Sequence, residues 1–148
     1  MRQSNNFSSG YNQKKPSAQE EAEKSFQELR FNSAWITNGV DSSMITFAEK
    51  AGKVLVKHNL TPSQFRNIYG ELKRIQMGGY NTNMASFLML RPKVAYMQGR
   101  SDTNVGIRVF KLIFDHAADK VVDKTTFNNF CNLMEAVLAY HRAESGKE

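Results

Sequence analysis

A chain of 148 residues with 41% hydrophobic residues, ten of them Phe, is long enough for one domain whose core needs no covalent staples. Lys and Arg outnumber Asp and Glu by 20 to 14, a formal charge of +6 with a pI near 9.5. That balance points to a polyanionic partner, most often nucleic acid, less often an acidic protein or an anionic membrane surface. The single cysteine, Cys131, excludes an intrachain disulfide and a cysteine-based zinc site, and no apolar run approaches the roughly 18 residues that cross a bilayer.

In chain order, residues 1–15 are rich in Asn, Ser, Gln and Gly and read as a disordered polar tail. The opening MRQSNNFSSG holds no hydrophobic segment of the signal type, so a cytoplasmic location is the default expectation. Pro16-Ser17 then opens a helix through SAQEEAEKSFQELRF. Glu20, Glu21 and Glu23 sit near its positive end and Arg30 near its negative end, as the macrodipole favours. Little in it is apolar before Phe26, which predicts a peripheral element and leaves open that it orders only on binding.

Residues 32–40 read as a loop anchored by Trp35-Ile36 and closed by the turn pair Asn38-Gly39. Asp41 or Ser42 can cap the next helix, which runs to about His58. Met44, Phe47, Ala48, Ala51, Val54 and Leu55 form its apolar stripe, and Lys50, Lys53 and Lys57 line the opposite side at spacings of three and four. Three lysines on one ridge repel one another unless an anion lies across them.

The stretch LTPSQFRNIYGELKRIQ, residues 60–76, carries its own start and stop signals. Thr61 is a good N-cap, Pro62 stands where the first helical residue belongs, and Gly78-Gly79 ends the run. At about 100° per residue, Phe65, Ile68, Tyr69, Leu72 and Ile75 share one arc while Arg66, Gly70, Lys73 and Arg74 gather on the other side. Only Leu60 separates this helix from the end of the one before, so the two are expected to pack as a tight hairpin with both basic faces accessible.

Residues 82–98 form an apolar helical segment ending at Gly99, with Pro92 expected to kink it or to split it after Leu90. Residues 104–118 are apolar around so much of the circumference that only Arg108, Lys111 and Asp115 remain for solvent, which marks the central helix. Asp123 or Thr125 starts the last one, whose stripe is Phe127, Phe130, Leu133, Met134, Val137, Leu138 and Tyr140. Cys131 falls among these as a small core residue. No segment alternates with period two. The fold class is all-α, a five- or six-helix bundle, with residues 16–148 as a single helical domain.

Charge is unevenly spread. Residues 53–111 hold ten basic side chains against Glu71 and Asp102, a net +8, so the remainder of the chain sums to −2. No catalytic constellation accompanies this excess. His58, His116 and His141 come from three helices and fit no metal-binding spacing, and are expected as helix-end or packing residues. Asp115 and Asp119 could hold a divalent ion, but beside Lys111 and Lys120 they more simply balance charge. Tyr80 and Tyr96 are candidates for stacking on bases, with Tyr96 expected in the core. A DNA-reading helix-turn-helix is disfavoured, because the outward side chains of residues 60–76 are mainly Arg and Lys rather than base-reading amides.

Three pieces in this order, LTPSQFRNIYGELKRI, FLMLRPKVAYMQGR and FNNFCNLMEAVLAYHR, resemble the small helical subunit of type III-A (Csm-type) CRISPR effector complexes. The matching positions are Thr61, Ser63, Gln64 and Arg66, then Pro92, Lys93, Tyr96 and Arg100, then Ala139-Tyr140, and the likeness spans roughly residues 40–142. The resemblance implies a non-catalytic RNA-binding scaffold that needs no cofactor. Its partners would be guide RNA and target RNA, the backbone and large subunits of the complex, and further copies of itself. Because they come from adjacent helices and lie opposite the core stripes, Lys50, Lys53, Lys57, Arg66, Lys73 and Arg74 are the expected RNA-facing residues. Lys93 and Arg100 carry over from the matching motif, Arg100 alternatively capping a helix end, and Arg108 and Lys111 extend the same basic window. The competing expectation is a protein-only helical adaptor whose basic face binds an acidic partner.

Overall fold

The computed structural model describes residues 15–101 and 103–146, so the tail expected over residues 1–15 lies, apart from Lys15, outside the described residues. Its helices begin where side chains can satisfy the first backbone donors. Ser17 and Glu20 form a reciprocal capping box on α1 (Ala18–Leu29), Thr61 and Gln64 one on α4 (Pro62–Gly78), and Asp123 and Thr126 one on α8 (Lys124–Ser145). Asp41 caps α3 (Ser42–Lys57) and Asn104 caps α7 (Val105–Ala118) through their side-chain oxygens. Two single-turn pieces, α2 (Ala34–Thr37) and α5 (Met84–Leu88), and α6 (Leu90–Arg100) complete the order. Six helices have eleven residues or more, and there is no strand among the described residues, so the fold is the expected all-α bundle.

α7 is central, with Ile107, Val109, Phe110, Ile113 and Phe114 fully buried. α8 is the second spine: it receives α2, α3 and α4 and meets α7 through the Phe114–Phe130 ring pair. A line of rings runs through the interior from α4 to the loop after it: Phe65 to Phe110 at 4.9 Å, Phe110 to Phe114 at 6.0 Å, Phe114 to Phe130 at 5.2 Å, Phe130 to Phe87 at 5.4 Å, Phe87 to Phe127 at 5.1 Å and Phe127 to Tyr80 at 4.9 Å. Edge and tilted pairs of this kind add about 0.5–1.5 kcal/mol each beyond the area they bury.

The turn between α3 and α4 is tied down on both sides. Asn59 adopts a left-handed φ of 72°, and the N–H groups of Leu60 and Asn59 fold back onto the carbonyls of Leu55 and Val56, a Schellman ending. The next three carbonyls each receive a donor from another element. His58 O accepts the Gly106 N–H at 3.1 Å, Asn59 O accepts Asn104 Nδ2 at 3.1 Å, and Leu60 O accepts His141 Nε2 at 2.7 Å. This geometry overturns the expected hairpin. α3 and α4 make their main contacts with α8 and only marginal ones with each other, because the left-handed turn and the buried Leu60 direct α4 away from α3.

Other expectations are also adjusted. α1 is not peripheral: Ala22 and Leu29 are buried against α7, and Phe26 lies 4.6 Å from the His116 ring. The small Ala22 lets the backbones approach, a contribution that counting large apolar residues misses. The loop over residues 32–40 contains the helical turn α2, whose Trp35 Nε1 donates to Ser43 Oγ at 2.9 Å. The break near Pro92 falls at Met89, which places the proline at the third position of α6, among N–H groups that have no intrahelical acceptor to lose. α6 continues through Gly99 to Arg100, since Gly99 lacks the positive φ of a left-handed cap.

Two glycines sit where backbones touch. A Cβ on Gly52 would lie 2.7 Å from the carbonyl carbon of Tyr140, and one on Gly106 would lie 2.7 Å from His58 O. Main chain cannot swing aside as a flexible side chain can. Gly52→Ala and Gly106→Ala are each expected to destabilise the fold by about 1–3 kcal/mol, read as a lower urea midpoint at unchanged m-value.

Candidate nucleic-acid interface

The ridge on α3 follows from its packing. Met44, Phe47, Ala48, Ala51 and Leu55 turn toward α8, which leaves Lys50, Lys53 and Lys57 exposed in a row on the other side. None of the three has an ion-pair partner among the described residues. α4 is oriented likewise, with Phe65, Ile68, Leu72 and Ile75 inward and Arg66, Gly70 and Arg74 outward. Arg66 is also unpaired among the described residues. Gly70 has nothing within 4 Å of where a Cβ would be, so the helix presents bare backbone between two arginines.

The remaining cations of the basic window are engaged. Glu71 accepts two hydrogen bonds from Arg74, at 2.6 and 2.9 Å, and one from Lys93 at 3.4 Å. The Arg74 contacts, with Lys93 adding to them, hold its carboxyl below the usual range. Lys73 reaches Gln76 at 3.3 Å and lies over the Tyr69 ring, 5.9 Å from its centroid. Lys111 pairs with Asp115 at 2.7 Å, and the half-buried Arg108 donates to Gln19 of α1 at 2.9 Å. Arg91 bridges Asp115 at 3.4 Å and Asp119 at 2.9 Å, joining α6 to α7. The two aspartates therefore do balance charge, Asp115 against Lys111 and Arg91 and Asp119 against Arg91 rather than the neighbouring Lys120.

The two tyrosines exchange the roles expected of them. Tyr80 is 6% exposed and stacks on Phe127, whereas Tyr96 is 68% exposed with the Arg100 guanidinium 5.8 Å from its ring centroid. The signal was present in the sequence: Leu90, Val94 and Met97 fall at i, i+4 and i+7, and that stripe leaves Tyr96 off the buried side. Glu71 was also missed as a neutralising group. Its spacing to Arg74 was visible, but Lys93 lies 22 residues on and reaches it only through the fold.

The histidines are placed by packing. His116 Nδ1 lies 2.9 Å from Leu112 O, His58 closes α3, and the buried His141 holds the α3–α4 turn. No group of three His, Cys, Asp or Glu side chains capable of holding a metal occurs among the described residues, and no described helix is long and apolar enough to cross a membrane. Cys131 is buried, and burial pushes its thiol up to about 12. A thiol so shifted stays protonated at neutral pH and is a poor nucleophile. Alkylation at pH 8 is expected to label Cys131 only after the chain is unfolded in urea, with mass spectrometry as the readout.

The described residues form an all-α bundle with unpaired cations on two helices. The family model described as Csm2 Type III-A matches residues 40–147. The chain belongs to that family, the Csm-type small structural subunits of type III-A CRISPR complexes. No curated protein and no solved structure matches it. Within the matched segment the family-like residues have visible work: Thr61 and Gln64 build the α4 cap, Arg66 stands outward, and the Tyr140 backbone meets Gly52 at the α3–α8 crossing.

Proposed function

We propose that this subunit is a non-catalytic RNA-binding scaffold of the type III-A complex. It lies along the guide–target RNA duplex and contacts the backbone and large subunits and further copies of itself. The observation that carries this reading is the division among the cations. Lys50, Lys53, Lys57 and Arg66 are exposed and unpaired among the described residues, whereas Arg91 and Lys111 are consumed by Asp115 and Asp119. Unpaired cations at regular spacing suit phosphates, and they contact any sequence equally. Lys73, Arg74, Lys93 and Arg100 extend the surface as secondary contacts, while Arg108 and Lys111 serve the bundle itself.

Two further features support the reading. Met77, Met84, Leu88 and Met89 flank the turn from α4 to α5 and are exposed, which gives that end of the bundle apolar surface for a neighbouring subunit. Gly70 stands at the outward apex of α4 between Arg66 and Arg74, where a sugar-phosphate chain can come close to the helix backbone.

Binding of single-stranded RNA is expected to weaken with salt at a slope near −3, about 0.7 for each of four phosphate contacts. Lys53→Glu combined with Arg66→Glu should remove about half of that slope and lower affinity at least tenfold, measured by fluorescence anisotropy. Unchanged affinity in that variant would sink the assignment. Gly70→Ala is expected to stabilise the free chain by about 0.5–1 kcal/mol while weakening RNA binding. Opposite signs in thermal unfolding and anisotropy separate a contact position from a fold position.

A further inference from the structure

Between α4 and α6 the surface opens into a cleft of about 650 Å³, lined by Gln64, Asn67, Ile68, Tyr96, Met97 and Arg100 among others. We propose that this cleft receives one unpaired nucleobase of the RNA, an inference that rests on the RNA-binding reading and adds a second kind of contact to it.

The chemistry of the walls carries the argument. Tyr96 is 68% exposed, although it is one of the largest side chains in the bundle and sits on a helix whose Leu90 and Val94 are buried. Its ring has one cationic companion, Arg100, and otherwise borders the cleft. An exposed aromatic ring beside a guanidinium is a stacking surface for any base, because every base has a π-face. Ile68 and Met97 supply apolar surface beneath. Opposite, α4 contributes amides: Gln64 accepts the Thr61 N–H through Oε1, which leaves its NH₂ free to donate, and Asn67 has no side-chain partner among the described residues. Such groups meet a base edge without demanding one sequence.

Lys93 and Arg100 stand in the same lining and place positive charge where the attached phosphates would run. Glu71, also in the lining, is paired with Arg74 and Lys93, which offsets its charge toward the attached phosphates. A base inside a duplex has both faces covered and cannot stack on Tyr96, so the occupant must be unpaired. The basic ridges would then track the backbone while the cleft reads only whether a base is free.

The test uses the full chain with a uridine oligonucleotide carrying a single 2-aminopurine, whose fluorescence falls when the base stacks. Quenching on binding is expected for the single strand and not for the same oligonucleotide annealed to its complement. Tyr96→Ala should abolish the quenching and weaken single-strand binding about tenfold with the salt slope unchanged, and Tyr96→Trp should restore both. If the oligonucleotide binds with the full salt slope but without quenching, and Tyr96→Ala binds as well as the natural chain, the cleft proposal falls and the RNA-binding reading stands. No RNA binding by any variant overturns both. If Tyr96→Ala leaves RNA binding and quenching intact but releases the subunit from its assembled complex, the cleft is a protein contact and the proposal is overturned.

Discussion

Three consecutive carbonyls, those of His58, Asn59 and Leu60, are each bound by a donor from α7, its cap or α8, and the turn that joins the two basic helices is held by them. A turn that closed on itself would have laid the two helices side by side. Here the turn is a fixed corner, gripped by Gly106 on one side and His141 on the other, and both helices are left to rest on α8. The bond between Leu60 O and His141 is buried, and a buried carbonyl without a donor is costly, so that contact in particular holds the corner. The two glycines at close backbone approaches, Gly52 and Gly106, make the same grip possible sterically.

Charge pairing then decides which cations are available. Arg91 and Lys111 are bound to Asp115 and Asp119, which lie outside the basic window and lower its net +8 to +6, and Arg74 and Lys93 share Glu71, which that sum already counts. Exposed pairs of this kind contribute little to stability. Their effect is on the shape of the field: they remove positive charge from the α6–α7 side and leave it concentrated along α3 and the outer side of α4.

The sequence made the helix starts plain, because a cap is local chemistry. Thr61 with Pro62 was legible directly, and of the paired candidates Asp41 or Ser42 and Asp123 or Thr125 the structure takes the aspartate each time, while the Gln64 and Asn104 caps come from the structure. The core was equally legible, since the stripes on α3, α4, α7 and α8 repeat with the helical period. What stayed hidden depends on contacts between segments distant in sequence. The basic window closed at Lys111, while the carboxylates that neutralise it begin four residues later at Asp115. The hairpin expectation failed because a short linker specifies nearness along the chain but not angle, and the angle comes from Gly106 and His141, far downstream. Tyr96 differs for another reason: its position on the helical wheel, off the stripe of Leu90, Val94 and Met97, outweighs its aromatic character.

The line of seven rings from Phe65 to Tyr80 passes through side chains of α4, α7, α5 and α8 without a layer of small or flexible residues between them. Close-packed aromatic interiors compress little. The line runs alongside α4, whose 17 residues set its length at about 1.5 Å per residue, and it braces that helix from its first turn to the turn that follows. Stiffness along that axis is thus a property of the folded interior of one chain and owes nothing to what its surface touches.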